Sequence, residues 1–127
     1  MPLVRIFHVA GKPASYSDTL SQGVHRAMID AFGIPEDDFF QVLTEHVPAH
    51  GIRFPRSFLG IAHGDEVVFV QITAAKGRTT EQKKALYSGI VDRLAADPGV
   101  PREDVVINLV ETKRENWSFG NGAAPFA

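Results

Sequence analysis

A chain of 127 residues can bury one core unaided and calls for no second domain. It has no cysteine, which excludes disulfides and thiolate chemistry, and 13 basic against 15 acidic side chains, which gives a net charge of −2 and no electrostatic footprint for nucleic acid or an anionic membrane. With no apolar run of membrane-spanning length and no cationic leader, the expected compartment is the cytosol, so the chain is read as cytoplasmic.

Met1-Pro2-Leu3-Val4 opens the chain. Initiator methionine is readily removed before a small residue, and its loss would leave Pro2 as a free secondary amine on the edge of a strand. A terminal amine titrates near about 8, so a cation-lined, partly desolvated pocket would bring it to neutrality as a base or nucleophile. The opening strand is expected over 3–9. A 3.6-residue period with Leu20, Val24, Met28 and Ala31 on one stripe predicts a helix over 15–32, with Ser15-x-x-Asp18 as a weak cap and Gly33 as its stop. A closing strand follows over 39–45. Residues 46–66, with Pro48, Gly51, Pro55, Gly60 and Gly64, read as an irregular crossover. The order then repeats: a strand over 67–73, a helix over 79–96 with Thr79-x-x-Gln82 as a capping box, Gly99 as the stop, and a strand over 104–111. An apolar hairpin or tail closes the chain over 112–127.

The recurrence is literal. Shifting the sequence by 66 positions pairs Val4 with Val70, Ile6 with Ile72, Gly11 with Gly77, Leu20 with Leu86, Gly23 with Gly89, Gly33 with Gly99, Pro35 with Pro101, Asp38 with Asp104, Leu43 with Leu109 and Glu45 with Glu111, without a gap. That is ten identities where unrelated sequences give about three. Residues 1–127 therefore read as one α/β (α+β) domain, in which pseudo-repeats 2–45 and 67–111 form a four-stranded sheet with two helices on one face. The expected pseudo-twofold puts the first and third strands side by side and antiparallel. Strand parity assigns Val4, Ile6, Val70, Ile72, Phe40, Val42, Val106 and Val110 to the helix-covered face. The opposite parity holds Leu3, Phe7, Phe69, Phe39, Leu43, Val105, Ile107 and Leu109 among Arg5, Gln41 and Gln71. It is too apolar for water, so a further subunit is expected to cover it.

The same topology brings Pro2 next to Lys76-Gly77-Arg78, where two cations precede the Thr79 cap at a helix N-terminus. Such a spot binds anions and would hold an organic acid against the prolyl nitrogen. Asp38 could orient a water or bond the amine, but its counterpart Asp104 favours a structural part for both. Trp117, Phe119 and Phe126 could pack on a neighbour or shield the site from water. The five histidines lack metal-ligand spacing, and no metal site is expected.

These residues together resemble the tautomerase superfamily, most closely its malonate semialdehyde decarboxylase-like branch. The resemblance spans nearly the whole chain and rests on Met1-Pro2-Leu3, Ala31-Phe32-Gly33-Ile34-Pro35 with Asp38 and Gln41-Val42, Val67 to Thr73, Glu81-Gln82-Lys83, Asp104-Val105-Val106 with Leu109-Val110-Glu111, and Trp117-Ser118-Phe119-Gly120. It implies the 4-oxalocrotonate tautomerase-type fold, a homotrimer and cofactor-free chemistry. It assigns Pro2 as catalyst, Arg78 as carboxylate binder, Asp38 as the helper acid of the decarboxylases, and Trp117, Phe119 and Phe126 as the apolar wall. Where that branch has Arg-Pro-Arg, this chain has Lys76-Gly77-Arg78, which looks more like the turn of ordinary tautomerases.

The expected function is keto-enol tautomerisation of small 2-oxo acids by Pro2, with Arg78 and Lys76 on the carboxylate. The alternatives are decarboxylation of a malonate semialdehyde-like 3-oxo acid, with Pro2 as a cation or iminium, and a trimer that binds without catalysis.

Overall fold

A computed structural model describes residues 1–127. The elements are β1 Pro2–Val9, α1 Ser15–Phe32, β2 Gln41–His46, β3 Ser57–Phe58, β4 Ile61–Ala62, β5 Val68–Ala75, α2 Thr80–Ala96 and β6 Val105–Thr112, with 3-10 turns at Arg102–Asp104 and Arg114–Asn116. The main sheet runs β2-β1-β5-β6. Strand β1 lies antiparallel to β5, and each pairs in parallel with the second strand of its own repeat, as a right-handed βαβ crossover requires.

The 66-residue shift survives at atomic detail. Strands β1 and β5 begin and end 66 positions apart. The Ala10 amide donates to the His46 carbonyl and the Lys76 amide to that of Thr112, both at 2.8 Å. The Asp38 and Asp104 amides close the same turn onto Pro35 and Pro101, at 3.1 and 2.9 Å.

Local chemistry explains the helix ends. At α2 the capping box is complete: the Gln82 amide donates to the Thr79 hydroxyl at 3.2 Å and the Thr79 amide to the Gln82 side-chain oxygen at 2.9 Å. At α1 the expected Ser15 cap does not form. Ala14 occupies the cap position with no side-chain bond, because the turn starts at Pro13, whose carbonyl accepts the Tyr16 amide at 3.0 Å. Proline is preset for that turn and has no N–H to leave unsatisfied. Gly33 ends α1 at φ +66°, its amide on the Ile29 carbonyl. Helix α2 ends at Asp97, two residues before Gly99.

Leu20, Val24 and Met28 of α1 and Leu86, Ile90 and Leu94 of α2 lie fully buried on Val4, Ile6, Val70 and Ile72. The helices meet most closely at Gly23, where an added Cβ would come within 2.9 Å of Leu94 Cδ2. In the outer strands the expected sidedness is reversed. Gln41 and Leu43 pair with Val4 and Ile6, and Ile107 and Leu109 with Val70 and Ile72, so these residues face the helices. Val42, Val106 and Val110 lie on the open face, 51, 39 and 40 % exposed. Parity does not carry across a connecting turn; register does, and in β2 and β6 both faces mix apolar with polar residues, so alternation does not decide. Phe7, Phe69 and Thr73 share the open face, which has no helix on it; the tail crosses one end and the crossover flanks Phe69 and Val106 at the other. The crossover is also less irregular than expected, since it folds into the β3-β4 hairpin with Leu59 at its tip. The tail forms no hairpin. After the turn at 114–116 it contains no strand.

Tyr16 sits edge-on to His8 at the far end of β1, is 8 % exposed, and its hydroxyl has no partner. Burial, then the Glu66 and Asp104 carboxylates, push its pKa from 10.0 to about 12. Between those values the folded chain keeps a proton that the unfolded chain has lost, so stability present below pH 10 is lost as pH rises toward 12, by up to about 1.4 kcal/mol per pH unit. Tyr16→Phe should flatten that slope in urea titrations and leave stability at neutral pH unchanged or raised, since it removes an unsatisfied hydroxyl.

Candidate active site

The start of β1, the ends of β5 and β6, the C-terminus of α1 and the start of α2 converge at one end of the sheet. Pro2 pairs with Ala74. One residue on, the Ala75 carbonyl accepts Arg78 Nη1 at 3.2 Å, and Arg78 Nη2 reaches the Phe32 carbonyl at 3.5 Å. Arg78 Cζ stands 4.8 Å from the Phe32 ring centroid. Helix α1 has no basic residue in its last turn, so Arg78 supplies the cation its negative end favours. These contacts use two of the five N–H donors of the guanidinium and fix its plane. Arg78 is thus held at the same end of the sheet as Pro2, on the residue that follows the strand partner of Pro2. Lys76 shares this end through its backbone, but its side chain is exposed and forms no ion pair.

Asp38 Oδ2 lies 2.8 Å from the terminal nitrogen of Met1, with both groups largely shielded from water. Here the structure separates the two repeats. Asp104 is 1 % exposed and accepts the Gly64 amide at 2.7 Å, a structural contact, whereas Asp38 faces the chain's terminal charge. The Pro2 nitrogen is an amide while Met1 is present. Loss of Met1 moves the free amine by one residue, about 3.8 Å along the chain.

The aromatic residues span this end. The Trp117 indole donates to the Thr112 hydroxyl at 2.7 Å on one outer strand. Its ring stacks on Phe119 at 5.5 Å, and Phe119 meets Phe40 at 5.5 Å and Phe126 at 6.2 Å. Phe40 directly precedes the other outer strand, and its carbonyl accepts the Val4 amide at 3.0 Å. The tail thus crosses from β6 to β2 above the start of β1, on the open face. Phe40 and Thr112 are wall residues that sequence reasoning did not single out. The exposed Phe39-Phe40 pair before a strand was the available signal. None of the five principal clefts of the single chain contains Pro2, Asp38 or Arg78. Trp117 is the sole tryptophan, so Thr112→Val, which removes the acceptor of its indole N–H, should shift tryptophan emission to longer wavelength and loosen the tail by about 1 kcal/mol. Unchanged emission would mean that the bond does not anchor the wall.

Sequence profiles of tautomerase enzymes match residues 38–120 and 2–58. The chain belongs to the tautomerase family. Among the relatives of this tautomerase, the probable tautomerase YusQ of Bacillus subtilis strain 168 is 40% identical over 124 residues, which cover 98% of this chain and 97% of YusQ. The solved structure of FG41 malonate semialdehyde decarboxylase inhibited by 3-bromopropiolate superposes with a TM-score of 0.90 at 33% identity, covering 96% of this chain and 92% of that one. A fused 4-OT solved as a symmetric trimer gives a TM-score of 0.78 at 21% identity, over 95% and 94% of the two chains, and so shares the fold.

Proposed function

We propose that this tautomerase, after loss of Met1, interconverts the keto and enol forms of small 2-oxo acids with Pro2 as the base. The observation that carries the reading is the convergence of the chain's amine end, the Asp38 carboxylate and the Arg78 guanidinium at one sheet end. Arg78 takes the substrate carboxylate in its fork, assisted by Lys76. The prolyl nitrogen removes the enol hydroxyl proton while C3 gains a proton, so the net change is one proton moved from oxygen to carbon. Trp117, Phe119 and Phe126 keep water from the reacting carbons. A homotrimer fits the apolar sheet face that no helix covers, with Val42, Val106 and Val110 exposed on it, and a neighbouring copy would complete the wall of the site.

A second reading has its own support. A carboxylate, that of Asp38, lies 2.8 Å from the terminal nitrogen, where a cationic amine would find a partner, and one of the structures that superpose well is a malonate semialdehyde decarboxylase. In that chemistry the prolyl cation polarises the carbonyl of a 3-oxo acid, the bond to the carboxylate breaks, carbon dioxide leaves, and the electron pair is protonated at carbon. The two readings make opposite predictions for Met-cleaved protein. Phenylpyruvate ketonisation whose kcat/KM rises with pH to a plateau near neutrality identifies a base, while carbon dioxide release from malonate semialdehyde that falls as pH rises well above neutrality identifies a cation. Turnover of neither substrate would leave a trimer that only binds.

A further inference from the structure

The 66-residue shift carries the site around Pro2 onto the opposite end of the sheet. Pro2 falls on Val68, Arg78 on Lys12, Asp38 on Asp104, Phe32 on Pro98 and Gly33 on Gly99. Of these, Lys12, Pro98 and Gly99 line a single cleft of about 250 Å³ together with Tyr16 and Glu66. No amine arises at this end, because Val67 and Val68 lie inside the chain. The crossover instead supplies both groups that the first end leaves to others. Where Asp38 faces the terminal amine, Asp104 accepts the Gly64 amide at 2.7 Å. Where Arg78 has no carboxylate, Lys12 is ion-paired to Glu66.

Two groups at this end are unused: the Tyr16 hydroxyl, on a residue that lines the cleft, and Asp104 Oδ2, on one that does not, are buried without partners. The Lys12 ammonium stands 5.3 Å from the Tyr16 ring centroid, so cation and phenol share the cleft. Tyr16 keeps its proton below pH 10 and so has an unused O–H donor that an acceptor such as a carboxylate could take.

We infer that the cleft between Lys12 and Tyr16 is a second, latent site for small monocarboxylates, kept shut by the chain's own Glu66. Glu66 is the internal stand-in for the acid that Arg78 receives at the first end, so the inference rests on Arg78 as a carboxylate binder. The plug is removable, since its carboxylate end is partly open to solvent: Glu66 is 43 % exposed and Lys12 20 %.

The test follows backbone amide shifts while pyruvate is titrated into the Met-cleaved protein. In the unmodified chain the amides of 77–82 should move and those of 11–16 should not. Glu66→Gln should add saturable shifts at 11–16, at a pyruvate concentration at least tenfold lower than any response there in the unmodified chain. Lys12→Ala in the same background should abolish them, while turnover at Pro2 stays within twofold throughout. Glu66→Asp, which withdraws the carboxylate by one methylene, runs in parallel and carries the same expectation should Glu66→Gln not fold. Shifts at 11–16 that are the same with and without Glu66 would overturn the inference. Absence of shifts at 77–82 would instead remove the reading of Arg78, so the two failures are distinguishable.

Discussion

Protein that retains Met1 should be inactive toward phenylpyruvate, and trimming with methionine aminopeptidase should restore turnover. The two forms differ by one residue, yet in the first the Pro2 nitrogen is an amide whose lone pair is delocalised, and the terminal amine sits a residue away against Asp38. Replacing the base altogether gives the scale. Pro2→Ala still loses its methionine but presents a primary amine that rotates about its bond, where proline holds the nitrogen in a ring on the first residue of β1. A positioned acid or base contributes about 10²- to 10⁴-fold, so a fall in kcat/KM within that range is expected, with little change in thermal stability. Stability should hold because Pro2 and Ala74 pair at a strand end where proline has no amide to donate. Turnover unchanged by Pro2→Ala, or by the presence of Met1, would remove Pro2 from the chemistry.

The second large effect is expected at Arg78. Charge-assisted hydrogen bonds to a carboxylate are each worth about 1.5–3 kcal/mol, so Arg78→Ala should lower kcat/KM for a 2-oxo acid by about 10²-fold, mostly through KM. Arg78→Lys keeps the charge but not the fork, and cannot hold the Ala75 and Phe32 carbonyls while presenting donors to substrate. It should recover only part of the loss. Arg78→Ala also withdraws the cation at the end of α1, so its melting point should fall, and that of Arg78→Lys, which keeps a cation there, should fall less. A substrate analogue without a carboxylate separates the two effects: its turnover should follow the stability change only. If Arg78→Ala left KM unaltered for 2-oxo acids, the guanidinium would be a helix-end cation and nothing more.

Much of this architecture can be read in the chain itself, and the reasons are local. Leu20, Val24 and Met28 fall on one stripe because a helix turns every 3.6 residues, and Thr79 with Gln82 closes its cap with atoms three residues apart. The 66-residue repeat supplied the pairing of β1 with β5, and with it the neighbourhood of Pro2 and Arg78. What failed was non-local. The facing of Val42 and Val106 depends on register against another strand, which neither β2 nor β6 encodes in its own alternation. Asp38 and Asp104 looked alike since both follow Gly-x-Pro turns, and only the neighbours that fold against them, a terminal amine for one and the Gly64 amide for the other, tell them apart. Phe40 and Thr112 escaped notice because they acquire a role only when the tail crosses the sheet end. Ser15 misled for a simpler reason: Pro13 starts the turn before it.

The path from Met1 beside Asp38, through Val4 and the Phe40 carbonyl, to Phe119 and Phe126 has a practical side for anyone handling this protein. Start and finish of the polypeptide meet at the same few side chains, so if Pro2 is the base a purification handle fused to either extremity should lower turnover, and one placed ahead of Pro2 should abolish it. The tip at Leu59 and Gly60, where Leu59 is 83 % exposed, is the place to put a label.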